Sequence, residues 1–206
     1  LARLKVGVLI SGRGSNLQAL LDACADPAFP AEIALVISNV ADAPGLDRAR
    51  AAGVATKVID HKPFPSRAAF DAEMDAALRA VGIELVCLAG FMRLLSDGFV
   101  EGWRGKMINI HPSLLPSFKG MRTHAQALAA GVKLHGCTVH YVTPALDDGP
   151  IIAQAAVPVL AGDTEEDLAA RVLDVEHRLY PAALRMIAEG KTGVANPAAS
   201  PINPPF

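Results

Sequence analysis

Leu4-Lys5-Val6-Gly7-Val8-Leu9-Ile10-Ser11-Gly12-Arg13-Gly14-Ser15-Asn16-Leu17-Gln18 is the stretch that decides the fold class. Its first seven residues are apolar except for Lys5 and Gly7, as a central parallel strand covered on both faces requires. A glycine loop follows. Leu17, Leu20, Leu21 and Cys24 then recur at helical spacing, and Ser15 with Gln18 has the form of a capping box. The order strand, glycine loop, helix start offers backbone N–H groups to a phosphate. A tight turn with ordinary capping is the alternative, and both stay open at this point. Gly12-x-Gly14 lacks the third glycine of a dinucleotide fingerprint, since that position is Leu17, and no Gly-Lys-Ser/Thr follows. A single phosphomonoester fits better than either nucleotide class.

Outward from this unit, residues 32–39, 54–59 and 83–88 read as further strands, with short helices over 44–52 and 96–103. A helix beginning near Arg67 has Phe70, Met74, Ala77, Leu78 and Val81 on one face. Met107-Ile108-Asn109-Ile110-His111 is a buried strand ended by Pro112. A helix over 123–130 is given a capping box of Thr123 and Gln126, and 134–142 and 151–159 alternate as two more strands. The last helix, 163–189, takes Asp163 and Glu166 as its capping box and puts Leu168, Val172, Val175, Leu179 and Met186 on one face. Pro181 is expected to kink or split it. The alternation predicts an α/β, Rossmann-like fold: a predominantly parallel twisted sheet flanked by helices, with antiparallel strands toward the C-terminal half. Residues 1–190 read as one domain, and the aperiodic stretch 191–206, rich in Pro, Ala and Asn, as a flexible tail.

The 206 residues are 51% hydrophobic, enough for a full core, and carry a net charge of −2 without a basic cluster. That argues against nucleic acid and for small-molecule partners. Cys24, Cys87 and Cys137 are odd in number, far apart and flanked by apolar residues, which points to reduced thiols and the cytoplasm. No apolar run reaches the ~18 residues of a membrane span, and strand-like sequence starts at once, so neither membrane attachment nor a targeting segment is expected.

Chemistry concentrates after residue 106. Asn109 and His111 are two positions apart on a strand and project to one face at its carboxyl end, where open α/β sheets place ligand crevices. With Asp147, in the loop Leu146-Asp147-Asp148-Gly149-Pro150, they are expected to converge on one reaction centre. Other candidates have two readings each. Arg67 is a solvated residue or a ligand contact, and the sequence favours the former. Phe91-Met92-Arg93-Leu94-Leu95 is a pocket wall or, preferred, a core-facing turn. Glu176 and His177, before Pro181, point into a crevice or, the commoner outcome, lie on a solvated helix face. His135 and His140 fall on opposite strand faces without companion cysteines, so no metal site is expected.

Taken together, seven motifs resemble the folate-dependent glycinamide ribonucleotide formyltransferases of purine biosynthesis. They are Gly12-Arg13-Gly14-Ser15-Asn16-Leu17-Gln18; His61-Lys62 with Ser66-Arg67-x-x-Phe70-Asp71; Leu88-Ala89-Gly90-Phe91-Met92-Arg93; and Ile108-Asn109-Ile110-His111-Pro112-Ser113-Leu114-Leu115-Pro116. His135-Gly136-x-x-Val139-His140, Leu146-Asp147-x-Gly149-Pro150 and Glu176-His177-x-x-Tyr180-Pro181 complete the set. The likeness runs in register from Val6 to about Lys191. It implies formyl transfer from 10-formyltetrahydrofolate, a co-substrate, to the glycyl amine of glycinamide ribonucleotide, with no metal, by a monomer or homodimer. Residues 1–100 would be the phosphate-binding half and 101–190 the catalytic and folate-binding half. By position, Gly14, Ser15 and Asn16 would hold the substrate phosphate and Glu176 its amino end. Arg67, Met92, Arg93, Leu94, Leu95 and Asn109 would contact the folate, and Asn109, His111 and Asp147 would be catalytic. The chemistry fits: an amide and an imidazolium can stabilise an oxyanion, the imidazolium can donate a proton, and a carboxylate beside it favours its charged form.

Two residues depart from the family pattern. Arg13 stands where bacterial members have Asn, and Asp148 where a Gly follows the catalytic Asp. A methionyl-tRNA formyltransferase would need a further basic domain, and a formyltetrahydrofolate hydrolase an additional amino-terminal one. A non-catalytic folate- or nucleotide-binding module would not need Asn109, His111 and Asp147 together.

Overall fold

The computed structural model describes residues 2–192; the expected tail lies outside the described residues from 193 onward. Seven strands form one sheet in the order β3-β2-β1-β4-β5-β6-β7: β1 (Leu4–Ile10), β2 (Ala31–Ser38), β3 (Ala55–Val58), β4 (Leu85–Leu88), β5 (Met107–His111), β6 (Leu134–Tyr141) and β7 (Ile151–Pro158). The predicted fold class holds. The chain divides into two compact units, one ending at Asn109 and the other beginning at Ile110, so the boundary falls inside β5.

In the first unit β1 is bordered in parallel by β2 and β4, and its last five residues are buried. The β2–β3 and β4–β5 pairs are also parallel. The connecting helices are α1 (Ser15–Cys24), α2 (Gly45–Ala51), α3 (Arg67–Ala80) and α4 (Asp97–Gly102). Leu17, Leu20, Leu21 and Cys24 of α1 and Phe70, Met74, Ala77 and Leu78 of α3 are buried, as their spacing requires. Val81 is not: it lies past the end of α3 and is 37% exposed.

The second unit holds the antiparallel β6–β7 hairpin, α5 (Thr123–Ala130) and α6 (Glu165–Ala188). The helix α6 packs on both strands and buries all five predicted residues. Pro181 does not split it. Loss of one hydrogen bond costs about 3 kcal/mol, but Leu179, Tyr180, Ala183 and Leu184 are all fully buried around the proline and hold the helix as one piece.

All three predicted capping boxes need correction. At α1 the N-cap is Gly14, left-handed at φ 70°, which has no side chain to accept; Gln18 instead bonds Asp22 and Arg48. At α5 the N-cap is Arg122, left-handed at φ 56°; the Thr123 hydroxyl donates to the Pro112 carbonyl, and the Gln126 amide to Met121. At α6 the box is shifted by one residue, to Thr164 and Asp167. Asp163 instead takes a bidentate pair with Arg171, which holds its carboxyl down at about 2.

Candidate active site

Strand β5 carries Asn109 and His111 at its carboxyl end, and Pro112 ends it because a proline cannot extend the ladder. His111 is 6% exposed. Its Nε2 lies 3.0 Å from the Phe118 carbonyl and its Nδ1 3.6 Å from Asp147 Oδ2, an ion-pair separation too long for a hydrogen bond. Asp147 is held from the other side, its Oδ2 accepting the Gly120 N–H at 2.8 Å, and its backbone is left-handed at φ 48°. The predicted meeting of His111 and Asp147 is therefore present. Asn109 lies two positions earlier on the strand and is half-buried.

The loop bearing Asp147 returns flat onto β6. A Cβ on Gly149 would sit 1.7 Å from the Tyr141 carbonyl oxygen, so only glycine permits this approach. Asp148, the departure from the family pattern, pairs with Lys119, which holds its carboxyl below the ordinary value. The connection after β5 is fixed just as firmly. Thr138, fully buried on β6, accepts the Leu115 N–H and the Gln154 amide and donates to the Ser113 carbonyl. The Ser113 hydroxyl spans the turn to the Ser117 carbonyl, and Leu115-Pro116 is cis.

Of the four other histidines in this unit, His124, His135 and His140 bear electrostatically on His111. His140 is 2% exposed, with Nδ1 3.0 Å from the Tyr141 carbonyl. Burial lowers its pKa, and it feels the charges of both Asp147 and His111. His135, fully buried, lies with Nε2 3.2 Å from His124 Nδ1 and is pushed down to about 4, first by burial and then by His124. Glu176 is buried at 6% exposure in the middle of α6, which overturns the solvated-face alternative. Burial and that carboxylate push the Cys137 thiol up.

In the first unit, polar residues just past the strand ends are stitched together. The Ser11 hydroxyl donates to Asn39 Oδ1 at 2.5 Å and accepts the Met92 N–H at 2.8 Å, and Asn39 Nδ2 donates to His61 Nδ1 at 3.4 Å. Gly14 has a second reason to be glycine: a Cβ there would meet the Gly45 Cα at 2.7 Å, where the Gly45 N–H bonds the Gly12 carbonyl. With Gly14 as N-cap, no side chain caps the start of α1, and Ser15 and Asn16 form its first turn. Arg67 is exposed in the first turn of α3, after the N-cap Ser66. Met92 and Leu94 are each 62% exposed, Arg93 is exposed and Leu95 half-buried. The preferred core-facing turn is thus wrong. The Met92 N–H is tied to Ser11, and the chain keeps its large side chains outward.

Phe118, Thr138, Ser11 and Asn39 were not singled out by sequence reasoning. Phe118 acts through a backbone carbonyl, for which no side-chain signal exists. Among the described residues no group of three or more His, Cys, Asp or Glu side chains is placed to hold a metal ion, and no helix is long and apolar enough to cross a membrane.

The formyl transferase family matches residues 4–184. A phosphoribosylglycinamide formyltransferase of Escherichia coli (strain K12) is 49% identical over 188 residues, covering 91% of this chain and 89% of that protein. The trifunctional purine biosynthetic protein adenosine-3 of Homo sapiens is 54% identical over 188 residues, but the chain spans only 19% of that relative's length. Among solved structures, the phosphoribosylglycinamide formyltransferase of Brucella melitensis is 55% identical, with a TM-score of 0.88 over 92% of this chain and 98% of that one.

Proposed function

Because the chain belongs to the formyl transferase family, we infer that it transfers a formyl group from a folate carrier to the glycyl amine of glycinamide ribonucleotide, the phosphoribosylglycinamide formyltransferase step of purine biosynthesis. The observation that carries this is the buried His111–Asp147 pair at the end of β5, in a chain so similar to enzymes of that name.

The donor is taken to be 10-formyltetrahydrofolate, which supplies the formyl carbon. Asn109 donates a hydrogen bond to the oxyanion that forms as the amine attacks, and His111 as imidazolium stabilises the same oxygen. As the bond from the formyl carbon to the folate nitrogen breaks, His111 supplies the proton that this nitrogen needs, and the proton shed by the attacking amine restores the imidazolium. Asp147, 3.6 Å from the ring, offsets the imidazolium charge and is better placed for that than for taking a proton from substrate. The open start of α1 at Gly14, Ser15 and Asn16 receives the single phosphate. Glu176 receives the substrate's amino end. Arg67, the outward Met92, Arg93 and Leu94 and the half-buried Leu95, with Asn109, contact the folate. The exposure of Met92 and Leu94 supports that assignment, since apolar side chains held outward gain by covering a flat ring.

No step in this scheme calls for a metal ion. Residues 1–190 work as one formyltransferase domain, as a monomer or homodimer acting on small molecules, in the cytoplasm, where the three buried free cysteines stay reduced.

Replacing His111 with Ala tests the assignment. Formyl transfer should fall by about 10³-fold while folate binding, followed by fluorescence titration, stays within about twofold of wild type. Transfer at near wild-type rate in the variant would remove His111 from the chemistry.

A further inference from the structure

We propose that Phe118 is a positioning residue for His111, and that it fixes the proton of the neutral imidazole on Nε2 so that Nδ1, on the Asp147 side, is the nitrogen that gains and loses the catalytic proton. A carbonyl oxygen only accepts hydrogen bonds, so the ring atom 3.0 Å from the Phe118 carbonyl must carry a hydrogen. The other ring nitrogen then faces Asp147 Oδ2 at 3.6 Å, near enough for the carboxylate to favour a proton there but too far to bind it in a hydrogen bond, so that proton remains transferable. Which nitrogen of a histidine works is set by the bond its other nitrogen makes.

The carbonyl stays in place for a reason visible in the fold. Phe118 holds a left-handed backbone at φ 56°, a conformation that costs a non-glycine residue free energy and persists only where surroundings over-determine it. Its ring supplies that constraint, meeting His135 edge-on with centroids 5.9 Å apart and planes at 66°. His135 is fully buried and backed by the His124 ring, whose centroid is 5.2 Å away at 89°. A column of three rings therefore ends in the carbonyl that addresses His111. The next two residues extend the grip: Lys119 pairs with Asp148, and the Gly120 N–H binds Asp147. One tripeptide thus sets both members of the catalytic pair. The ionisable groups bearing on the His111 ring are Asp147, His140, His135 and His124, with Glu165 behind His124.

This assignment rests on His111 being the catalytic histidine of the proposed reaction, but its test does not need a substrate. Nitrogen-15 NMR of histidine-labelled protein reads the tautomer of His111 directly. In wild type the neutral ring should show the Nε2–H form alone, with Nδ1 titrating. Phe118→Gly, which removes the ring yet tolerates the left-handed backbone, should give a mixture of tautomers and lower kcat about tenfold with KM changed less than twofold. Phe118→Tyr, which keeps the edge contact, should restore both. His135→Leu gives a second route: it removes the ring's partner and should produce the same mixture in a folded protein. An Nδ1–H form in wild type, or an unchanged Nε2–H signal in both Phe118→Gly and His135→Leu, would overturn the proposal. A failure of His111→Ala to lose activity, with these tautomer results intact, would instead remove the proposed reaction role and leave the positioning role standing.

Discussion

His111 is surrounded by histidines that burial keeps neutral, and this has a measurable cost. His135 titrates at about 4 in the folded chain against an ordinary 6.5. Between those values the unfolded chain binds a proton that the folded chain refuses, so stability falls as pH drops from about 6.5 to 4 and the loss is complete below that. His124 and His140 are lowered in the same direction. Substituting His135 with Gln should remove part of this slope, on the order of 1 to 2 kcal/mol after allowance for solvent screening. Urea unfolding measured from pH 7 to pH 4 checks it; identical slopes in the two proteins would mean that His135 does not carry the effect. The neutral state also bears on the proposed reaction, because a cation at His135 would oppose an imidazolium at His111.

The loop between β6 and β7 shows how an element delivers one residue. Asp147 depends on a left-handed backbone, a hydrogen bond from Gly120 and the flat return that Gly149 allows. Gly149→Ala should therefore push the loop off Tyr141, destabilise the fold by on the order of 3 kcal/mol, and lower kcat by about 10²-fold through displacement of the carboxylate. A variant with normal kcat and an unshifted Tm would show that the close approach is not needed. At this scale the sequence was readable where periodicity decides: the buried faces of α1 and α6 and the positions of the strands along the chain follow directly from it. It was unreadable where a single φ decides. Gly14 and Arg122 take left-handed N-cap positions, which no residue spacing announces, and so the boxes drawn at Ser15 and Thr123 dissolve. The outward Met92 and Leu94 were misjudged because burial is the ordinary fate of large apolar side chains, whereas backbone ties of Gly90 and Met92 to Ser11 and of Ser96 to Asp71 anchor this segment. The His111–Asp147 pair was legible because strand alternation and the acidic loop both leave marks in sequence. The Phe118 carbonyl leaves none.

Across the whole molecule the net charge is only −2, so the proposed substrates, an anionic ribonucleotide and an anionic folate, would be recognised by local features rather than by a general field. The uncapped start of α1 and the cations Arg67 and Arg93 are features of that kind. The family likeness extends from residue 4 to residue 184, and Arg13 and Asp148 are absorbed within it, the latter by pairing with Lys119. Everything proposed here turns on an amine receiving the formyl group. The most direct measurement is the absorbance change that accompanies loss of the formyl group from 10-formyltetrahydrofolate, followed with and without glycinamide ribonucleotide. Turnover should be absent until the ribonucleotide is added and should then consume one equivalent of it per folate product. Release of tetrahydrofolate at the same rate without the amine would mark a hydrolase and contradict the account.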